Sequence, residues 1–271
     1  MKKKIYKKLI ASKIFRFLPL KTQRSIIKKS KITFIPSNIT SLPTNNYKNP
    51  FSFEFHEEKY QNFLISNKVN SFCSGYSLLL ILSVLYKKTE EFNFLDFGGE
   101  NIDQFLFFNK NFTKINYFIV NQQKINDDLL KIKKKYNLNN LQIINQNEAI
   151  NRKFDFIFFG SVIQYLHNWD LIINRFLNQK PFYVYISALS NYLDSSNLSN
   201  KDFIVKQINT FPDINYLYFI NKNFLKNVFV KSNYELVCEY ENISDRIDYS
   251  NFSPKFIINY SDFLFKKVPN P

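Results

Sequence analysis

The sequence FNFLDFGGE at residues 92–100 constrains the fold more than any other stretch. The chain has only four glycines, and two of them, Gly98 and Gly99, lie together here after a short run of Phe and Leu. An apolar run closed by glycine is typical of a buried strand that enters a tight turn. Residues 102–108 then have a helical pattern. The stretch therefore predicts a strand, a glycine turn and a helix in succession.

This arrangement is suited to ligand binding at the turn. Glycine adopts backbone angles that a side chain forbids, and it lets a ligand approach the main chain closely. The N-terminus of the following helix offers unpaired N–H donors and partial positive charge. Asp96 is placed either to accept a hydrogen bond from a ligand or to brace the turn. The alternative is an ordinary strand exit, which the pattern Asp-x-Gly-Gly does not by itself exclude.

From residue 92 onward, apolar runs alternate with helical patterns. Strands are predicted at 115–120, 141–144, 154–159 and 181–188, and helices at 124–136 and 169–177. Strands separated by helices of this length predict an α/β fold with a doubly wound, mainly parallel, Rossmann-like sheet. Ligands bind at the carboxyl ends of the strands in such sheets. Further predictions are a polar loop at 191–200, a helix at 219–231, and an edge hairpin formed by a strand at 234–241 and a broken terminal strand at 256–266.

Helices are also predicted before the first strand of the sheet. Residues 57–65 are amphipathic and residues 76–86 are almost entirely apolar, so residues 51–91 are interpreted as a helical extension that covers the sheet. The run that begins at His56 is predicted to be a solvated helix start rather than a metal site, because adjacent helical residues point to different faces. The expected domains are a basic arm with its linker at 1–50, the helical cover at 51–91, and the α/β domain at 92–271.

The net charge of +15 is concentrated at the N-terminus. Thirteen of the 37 Lys and Arg residues precede Glu54, the first acidic residue, so the remaining chain carries 24 basic and 22 acidic residues. A nucleic-acid-binding protein more often has basic residues around its cleft, and no nucleic acid partner is expected. Lysines alternate with apolar residues in 1–31. This pattern predicts either a helix that lies on an anionic membrane or a surface helix whose apolar stripe packs on the body.

The cysteines indicate a reducing compartment. Cys73 and Cys238 lie far apart and form no CxxC motif, which argues against a structural zinc site. The longest apolar run, at 76–86, is shorter than the roughly 20 residues that span a bilayer. The protein is therefore expected in the cytoplasm, with peripheral membrane contact through residues 1–31 as an added alternative.

Two short blocks carry a resemblance to a known fold. LDFGG at 95–99 follows the first predicted strand, and SVIQYL at 161–166 follows the strand FDFIFF. On these blocks the chain resembles class I S-adenosylmethionine-dependent methyltransferases, and more narrowly a bacterial family associated with surface polysaccharide synthesis. Weaker similarity is spread over Val120, Gln122, Val205, Gln207 and 234–237. The resemblance covers residues 51–266.

The resemblance implies S-adenosylmethionine as the cofactor. The implied cofactor-binding residues are Asp96, Gly98, Gly99, Asn121, Gln122 and Ser161. The sequence departs from the usual pattern in three places. Asn121 stands where an acidic residue usually holds the ribose hydroxyls, and a neutral amide lacks the charge-assisted part of that interaction. Glu100 and Asn101 stand near the place of a third glycine, and Ala188 lies where relatives are expected to have an Asp-Arg pair.

Residues 161–170, SVIQYLHNWD, form the predicted substrate side, because they directly follow the carboxyl end of a strand. Given the resemblance, Gln164 and Tyr165 are predicted to face the transferred methyl group. His167 is one of two histidines in the chain, and a base that titrates near neutrality can deprotonate an acceptor hydroxyl. Alternatively, His167 begins a solvent loop before the next helix.

The first functional hypothesis is methyl transfer from S-adenosylmethionine to an oxygen or nitrogen acceptor. The resemblance implies a sugar hydroxyl of a surface glycan or its precursor as that acceptor. The second hypothesis is a non-catalytic scaffold or binding protein that has lost the cofactor, which the three departures support. A nicotinamide dehydrogenase ranks last because the G-x-G-x-x-G spacing is absent.

Overall fold

The computed structural model describes residues 10, 15, 17–30, 33–43, 52–66, 75–86, 91–99, 102–112, 114–194, 202–208, 214–242, 249, 252 and 256–269. Glu100, Asn101, Cys73 and most of the basic arm before residue 17 lie outside the described residues.

The described strands form one mixed sheet. They are β1 (Phe34–Pro36), β2 (Phe92–Phe97), β3 (Ile115–Val120), β4 (Leu141–Ile144), β5 (Phe156–Gly160), β6 (Tyr183–Asp194), β7 (Phe203–Gln207), β8 (Asn215–Asn221), β9 (Tyr234–Asn242) and β10 (Phe256–Lys267). The α-helices are α1 (Leu20–Ser30), α2 (Phe53–Ser66), α3 (Gly75–Leu85), α4 (Ile102–Asn111), α5 (Gln123–Tyr136), α6 (Gln146–Ile150), α7 (Trp169–Leu177) and α8 (Lys222–Lys231).

The centre of the sheet is parallel, as predicted. Its order is β4-β3-β2-β5-β6, and each neighbouring pair is parallel. β2, β3 and β5 are mostly buried, and their runs of Phe, Ile, Leu and Val are the pattern expected of strands covered on both faces. The carboxyl ends of β2, β3 and β5 therefore meet at one edge of the sheet.

The predicted hairpin is present at the other side of β6. β10 is antiparallel to both β6 and β9, so β9 lies outermost. β10 runs unbroken from Phe256 to Lys267 and contains a register shift between Ser261 and Phe263. The predicted break in this strand is therefore a β-bulge, in which Ser187 and Ala188 of β6 lie opposite the single residue Asp262.

Helices cover both faces, which confirms the doubly wound arrangement. On one face, α7 and α8 contribute to a core that includes Phe97, Phe159 and Phe263. On the other face, α3, α4 and α5 pack with Phe94 and Phe158, and α2 packs against this cluster. Aromatic rings stack between adjacent strands on this second face, with Phe94 5.5 Å from Phe156 and Phe158 5.7 Å from Tyr185 between ring centroids. Such pairs stabilise the strand order beyond the area that they bury.

A small sheet extension was not predicted. The sequence predicted a loop at 191–200, but β6 continues to Asp194, and Asn191 and Tyr192 pair with β8. β7 pairs antiparallel with β8, and β1 pairs with β7. The prediction of a loop was wrong for residues 191–194 because backbone pairing with β8 and β10 outweighs the polar composition of this segment. Residues 195–200 lie outside the described residues.

The predicted helix at 219–231 also begins later than expected. Residues up to Asn221 belong to β8, and the helix starts at Lys222. The side chain of Asn221 accepts hydrogen bonds from the backbone N–H groups of Asn223 and Phe224. Asn221 is therefore an N-cap, which fixes the start of α8 at this position.

His56 is buried rather than solvated. Its side chain is 0% exposed because α2 packs against α4 and α5. Burial lowers the pKa of His56, although the carboxylates of Asp128 and Asp103 act to raise it. Nearby, Lys59 forms an ion pair with Asp103 at 3.1 Å. The prediction of a solvated helix start was wrong because residues 53–66 form one long helix whose inner side faces the body of the protein.

The apolar side of α1 packs on the protein. Ile26 and Ile27 are buried in a cluster with Ile208, and Ile35 of β1 packs against it. For these residues the structure agrees with the packed surface helix, one of the two sequence alternatives. No helix in the described ranges is both long and apolar enough to cross a membrane.

Candidate functional site

The glycine turn lies at the carboxyl end of β2, where the sequence predicted it. Gly98 has a φ of +86°, which favours glycine, and its N–H donates to the carbonyl of Val120 at 2.7 Å. An added Cβ at Gly98 would lie 2.6 Å from Cγ2 of Val162. The turn is thus fixed to the end of β3 and packed against the segment that follows β5.

Asp96 braces this turn from below. Its carboxylate is buried and accepts a 2.6 Å hydrogen bond from the hydroxyl of Tyr117 and a 3.4 Å bond from Nε2 of Gln104. An added Cβ at Gly99 would lie 2.5 Å from Oδ2 of Asp96. The glycine is therefore needed so that the main chain can pass over the carboxylate. The hydrogen bonds described for the Asp96 carboxylate thus link the end of β2 to β3 and α4, directly beneath Gly99.

Asn121 and Gln122 follow β3 at the same edge. Nδ2 of Asn121 donates to the carbonyl of Gly99 at 2.9 Å, and its Oδ1 accepts from the backbone N–H of Gln122 at 2.7 Å. The Asn121 side chain therefore ties the glycine turn to the start of α5. Gln122 is exposed, and its side chain makes no capping hydrogen bond to α5.

A cavity lies further along this edge, beyond β4. It has a volume of about 690 Å³ and is lined by Asn145, Gln146, Asn147, Glu148 and Asn151. The side chains of Asn145 and Glu148 form a capping box at the start of α6. The lining consists of amides and one carboxylate, which can donate and accept hydrogen bonds.

Ser161 and Gln164 form a compact turn after β5. Ser161 has a φ of +53° and is exposed. Nε2 of Gln164 donates to Oγ of Ser161 at 3.0 Å and to the carbonyl of Ala188 at 3.3 Å. The Gln164 side chain is buried, and its Oε1 has no hydrogen-bond partner among the described residues. Gln164 thus joins the end of β5 to the middle of β6 rather than standing on the surface of the edge.

Tyr165 and His167 diverge from this turn. The hydroxyl of Tyr165 donates to Oε1 of Gln207 in β7 at 2.8 Å. His167 is exposed and precedes Asn168, which has a φ of +51° and is the N-cap residue of α7. The structure therefore directs Tyr165 toward the β7–β8 extension, and it places His167 in the solvent turn before α7.

Two carboxylates near this edge were not predicted, of which Asp262 is buried and Asp202 is half-buried. Asp262 of β10 accepts hydrogen bonds from the backbone N–H of Ala188 and from the hydroxyl of Tyr185. Asp202 accepts from Nε1 of Trp169 at 2.7 Å and from the N–H of Asn221, and burial raises its pKa. A lone Asp within an apolar strand was the available signal for Asp262, but sequence spacing does not show that β10 lies beside β6. Within the described ranges, no group of three or more His, Cys, Asp or Glu side chains could hold a metal ion.

Of the predicted site residues, six form one contiguous part, and the side chains of Gln122, Tyr165 and His167 lie outside it. Asp96, Gly98, Gly99 and Asn121 are joined by direct contacts, and Val162 links them to the turn that holds Ser161 and Gln164. Gln122 and His167 are exposed at either side.

Comparison with known proteins gives structural neighbours only. No protein-family model matches the chain, and no curated protein matches its sequence. The N-terminal domain of EvdMO1, solved with S-adenosylhomocysteine bound, aligns with a TM-score of 0.50 at 10% identity, over 79% of this chain and 96% of that domain. A methyltransferase from Methanosarcina mazei, described as S-adenosylmethionine-dependent, aligns with a TM-score of 0.48 at 11% identity, over 70% of this chain and 98% of that one.

A third neighbour is the 1,6-didemethyltoxoflavin-N1-methyltransferase of Burkholderia thailandensis, solved with its substrate and S-adenosylhomocysteine. It aligns with a TM-score of 0.46 at 10% identity, over 87% of this chain and 95% of that one. The parallel β4-β3-β2-β5-β6 sheet, its helices on both faces and the similarity to the EvdMO1 domain together confirm that this chain has a Rossmann-like α/β fold.

Proposed function

We propose that this protein is an S-adenosylmethionine-dependent methyltransferase that acts on a small-molecule or glycan acceptor. The observation that carries the proposal is the glycine turn between β2 and α4. It lies at the carboxyl edge of a Rossmann-like sheet, has no room for a side chain at Gly98 or Gly99, and adjoins the turn after β5. Ligands of such sheets bind at this edge.

The residues at this edge fit the cofactor. Main-chain groups of the glycine turn can approach a ligand closely, and the N-terminus of α4 favours the negative charge of a carboxylate. Gln122 is exposed beside the turn and can hydrogen-bond ribose hydroxyls, as can Asn121 after a local rearrangement. The cavity beyond β4 supplies amides for the adenine end. The contacts of Gln122 and Asn121 with the ribose would be neutral. The affinity for the cofactor is therefore expected to lack the charge-assisted part that an acidic residue provides.

The bound cofactor would supply a methyl group on a sulfonium, which is activated for in-line displacement. The chain would then contribute positioning and exclusion of water. Gln164 fixes the turn after β5, and Ser161 presents its hydroxyl at the edge. His167 is the candidate base for an acceptor hydroxyl, at an exposed position from which a proton can pass directly to water.

The proposed acceptor is a sugar hydroxyl of a surface glycan or its precursor. Only the resemblance of the LDFGG and SVIQYL blocks supports this choice, because fold alone does not determine substrate. The second candidate is a non-catalytic scaffold or binding protein. A specific observation favours it: both polar atoms of the Asn121 amide are already used within the protein, by Gly99 and Gln122.

Calorimetric titration with S-adenosylhomocysteine tests the proposal. Wild-type protein is expected to bind, and Asn121→Ala and Gln122→Ala are each expected to weaken binding by about fivefold to tenfold, the loss of one net hydrogen bond. Asn139→Ala is the matched control, because Asn139 is exposed in the turn before β4 and should bind as the wild type does. Absence of wild-type binding at about millimolar ligand, roughly 4 kcal/mol of binding free energy, would favour the scaffold instead.

We further propose that the protein is cytoplasmic and contacts anionic membranes through residues 1–31. Phe17 is 87% exposed and Leu20 is 52% exposed, and the exposed side chains of Lys21, Arg24 and Lys28 lie close by in sequence. An apolar pair beside a row of cations suits an anionic lipid surface. The buried stripe of α1 is not available for this contact, since it packs on the protein.

Vesicle sedimentation tests the membrane contact without removing α1 from the fold. Binding to vesicles that contain phosphatidylglycerol is expected to exceed binding to pure phosphatidylcholine and to weaken with salt. The double change Phe17→Ser and Leu20→Ser, and separately Lys21→Gln with Arg24→Gln, should each reduce it. Equal binding to both kinds of vesicle, or no binding, would contradict the proposal.

A further inference from the structure

β6 changes its neighbour at Ala188. Residues up to Ser187 pair with β5, whereas Asn191 and Tyr192 pair with β8 on the same side of the strand. The ladder to β5 ends with a 2.9 Å hydrogen bond from the N–H of Ser161 to the carbonyl of Ser187. Ala188 therefore lies at the fork where the central sheet and the β7–β8 extension separate.

Ala188 has a backbone conformation that alanine rarely adopts. Its φ is +48°, in the left-handed region, where a Cβ crowds the main chain. A residue in this conformation persists when its surroundings hold it there. Its carbonyl is not part of the ladder to β5 and instead accepts the bond from Nε2 of Gln164.

Asp262 is the group that holds Ala188. Its Oδ1 accepts a 2.7 Å hydrogen bond from the N–H of Ala188, and its Oδ2 accepts a 2.6 Å bond from the hydroxyl of Tyr185. Asp262 is only 6% exposed, and it is the single residue of β10 opposite Ser187 and Ala188, the two residues of the β-bulge in β6. A charge-assisted bond to a backbone N–H at a buried position is stronger than a neutral one.

A continuous series of contacts thus runs from β10 to the candidate site. It passes from Asp262 to Ala188, from the Ala188 carbonyl to Gln164, and from Gln164 to Ser161. Ser161 also has a left-handed backbone, with a φ of +53°. The end of β5 and the fork in the middle of β6 therefore both carry unusual conformations, and one amide side chain connects them.

We propose that Asp262 is a positioning residue for the turn after β5, at the carboxyl edge of the sheet. It acts by holding Ala188 in the left-handed conformation, which directs the Ala188 carbonyl to Gln164 and so sets the turn of Ser161. This role rests on the proposed function, because Ser161 is one of the cofactor-binding residues that the resemblance implies. Asp262 itself touches no ligand in this proposal.

Titration with S-adenosylhomocysteine on four variants tests this role. Asp262→Ala is expected to weaken binding by about tenfold, because the left-handed Ala188 becomes a minor conformation and the competent fraction falls. Asp262→Asn keeps one oxygen that can accept from Ala188 and should stay within about threefold of the wild type. Adding Ala188→Gly to Asp262→Ala should restore binding to within about threefold, because glycine adopts a positive φ without strain.

Lys180→Gly in the Asp262→Ala background is the matched control. Lys180 also has a positive φ, +59°, but it precedes β6 at the opposite end of the strand. Glycine there should relieve comparable strain and stabilise the fold without restoring binding. Rescue by Lys180→Gly as large as that by Ala188→Gly, or unchanged binding in Asp262→Ala, would overturn the inference. A wild-type protein that does not bind would instead overturn the proposed function, and this role with it.

Discussion

Replacing Gly98 with alanine tests the structural basis of the glycine turn. At a φ of +86° an alanine would carry a backbone cost of about 1–2 kcal/mol. Its Cβ would also lie 2.6 Å from Cγ2 and 2.7 Å from Cβ of Val162. Overpacking of this kind costs about 1–3 kcal/mol. The free energy of unfolding is therefore expected to fall by about 2–5 kcal/mol in Gly98→Ala, a large part of the roughly 5–15 kcal/mol that stabilises a domain.

Urea unfolding of three further variants separates the two contributions. The free energy of unfolding should fall less in Gly98→Asn than in Gly98→Ala, because asparagine tolerates the left-handed region better. The crowding at Val162 remains in both variants. In a Val162→Ala background the cost of Gly98→Ala should decrease only in part, since Cβ of residue 162 is still too close. Ordinary surface substitutions change the free energy of unfolding by no more than about 0.5 kcal/mol. A change this small in Gly98→Ala would refute the reasoning.

Two further predictions concern buried ionisable groups. Burial holds the pKa of His56 below its ordinary value of 6.5, so the unfolded chain binds more protons and the free energy of unfolding should fall as the pH decreases from that value toward the lowered pKa. In urea unfolding at several pH values, His56→Phe should lose this pH dependence, whereas His167→Phe, at an exposed position, should keep it. If the free energy of unfolding varied equally with pH in both variants, His56 would not be its source. Lys222 is buried and pairs with Glu239 at 2.7 Å and Glu241 at 2.8 Å. Lys222→Met should lower the free energy of unfolding by about 1–3 kcal/mol. This is less than the roughly 3–5 kcal/mol for breaking a fully buried pair, because both carboxylates retain contact with water. A decrease of more than about 3 kcal/mol in urea unfolding would contradict this prediction.

The parallel centre of the sheet could be predicted from the sequence. The strands at 115–120 and 141–144 and the helix at 169–177 have the predicted bounds. Their apolar runs are short and sharply bounded, so the hydrophobic pattern and the local turn signals indicate the same structure. The glycine turn was predictable for the same reason, since a pair of glycines in a glycine-poor chain has few structural uses.

The extension and the polar contacts of the site could not be predicted in this way. Residues 191–194 are polar at two positions, and they form a strand because β10 and β8 are available on either side. The partners of Asp262 and Tyr165 lie 74 and 42 residues away in sequence. His56 was predicted to lie in a solvated helix start because it begins a run of adjacent polar residues that point to different faces of a helix, whereas the packing of α2 as a whole decides its burial. Each of these features depends on tertiary neighbours that local patterning does not identify.

The segment that follows β5 joins the candidate site to the β7–β8 extension at two points. Tyr165 donates to Gln207 of β7, and Trp169 donates to Asp202, which also accepts from Asn221 at the end of β8. These hydrogen bonds therefore connect the segment that begins with the Ser161 turn to the extension. An acceptor that reaches the carboxyl edge of β5 must lie near this junction. Selectivity among acceptors is consequently better sought in the extension than in the glycine turn, which faces the cofactor in the proposed function.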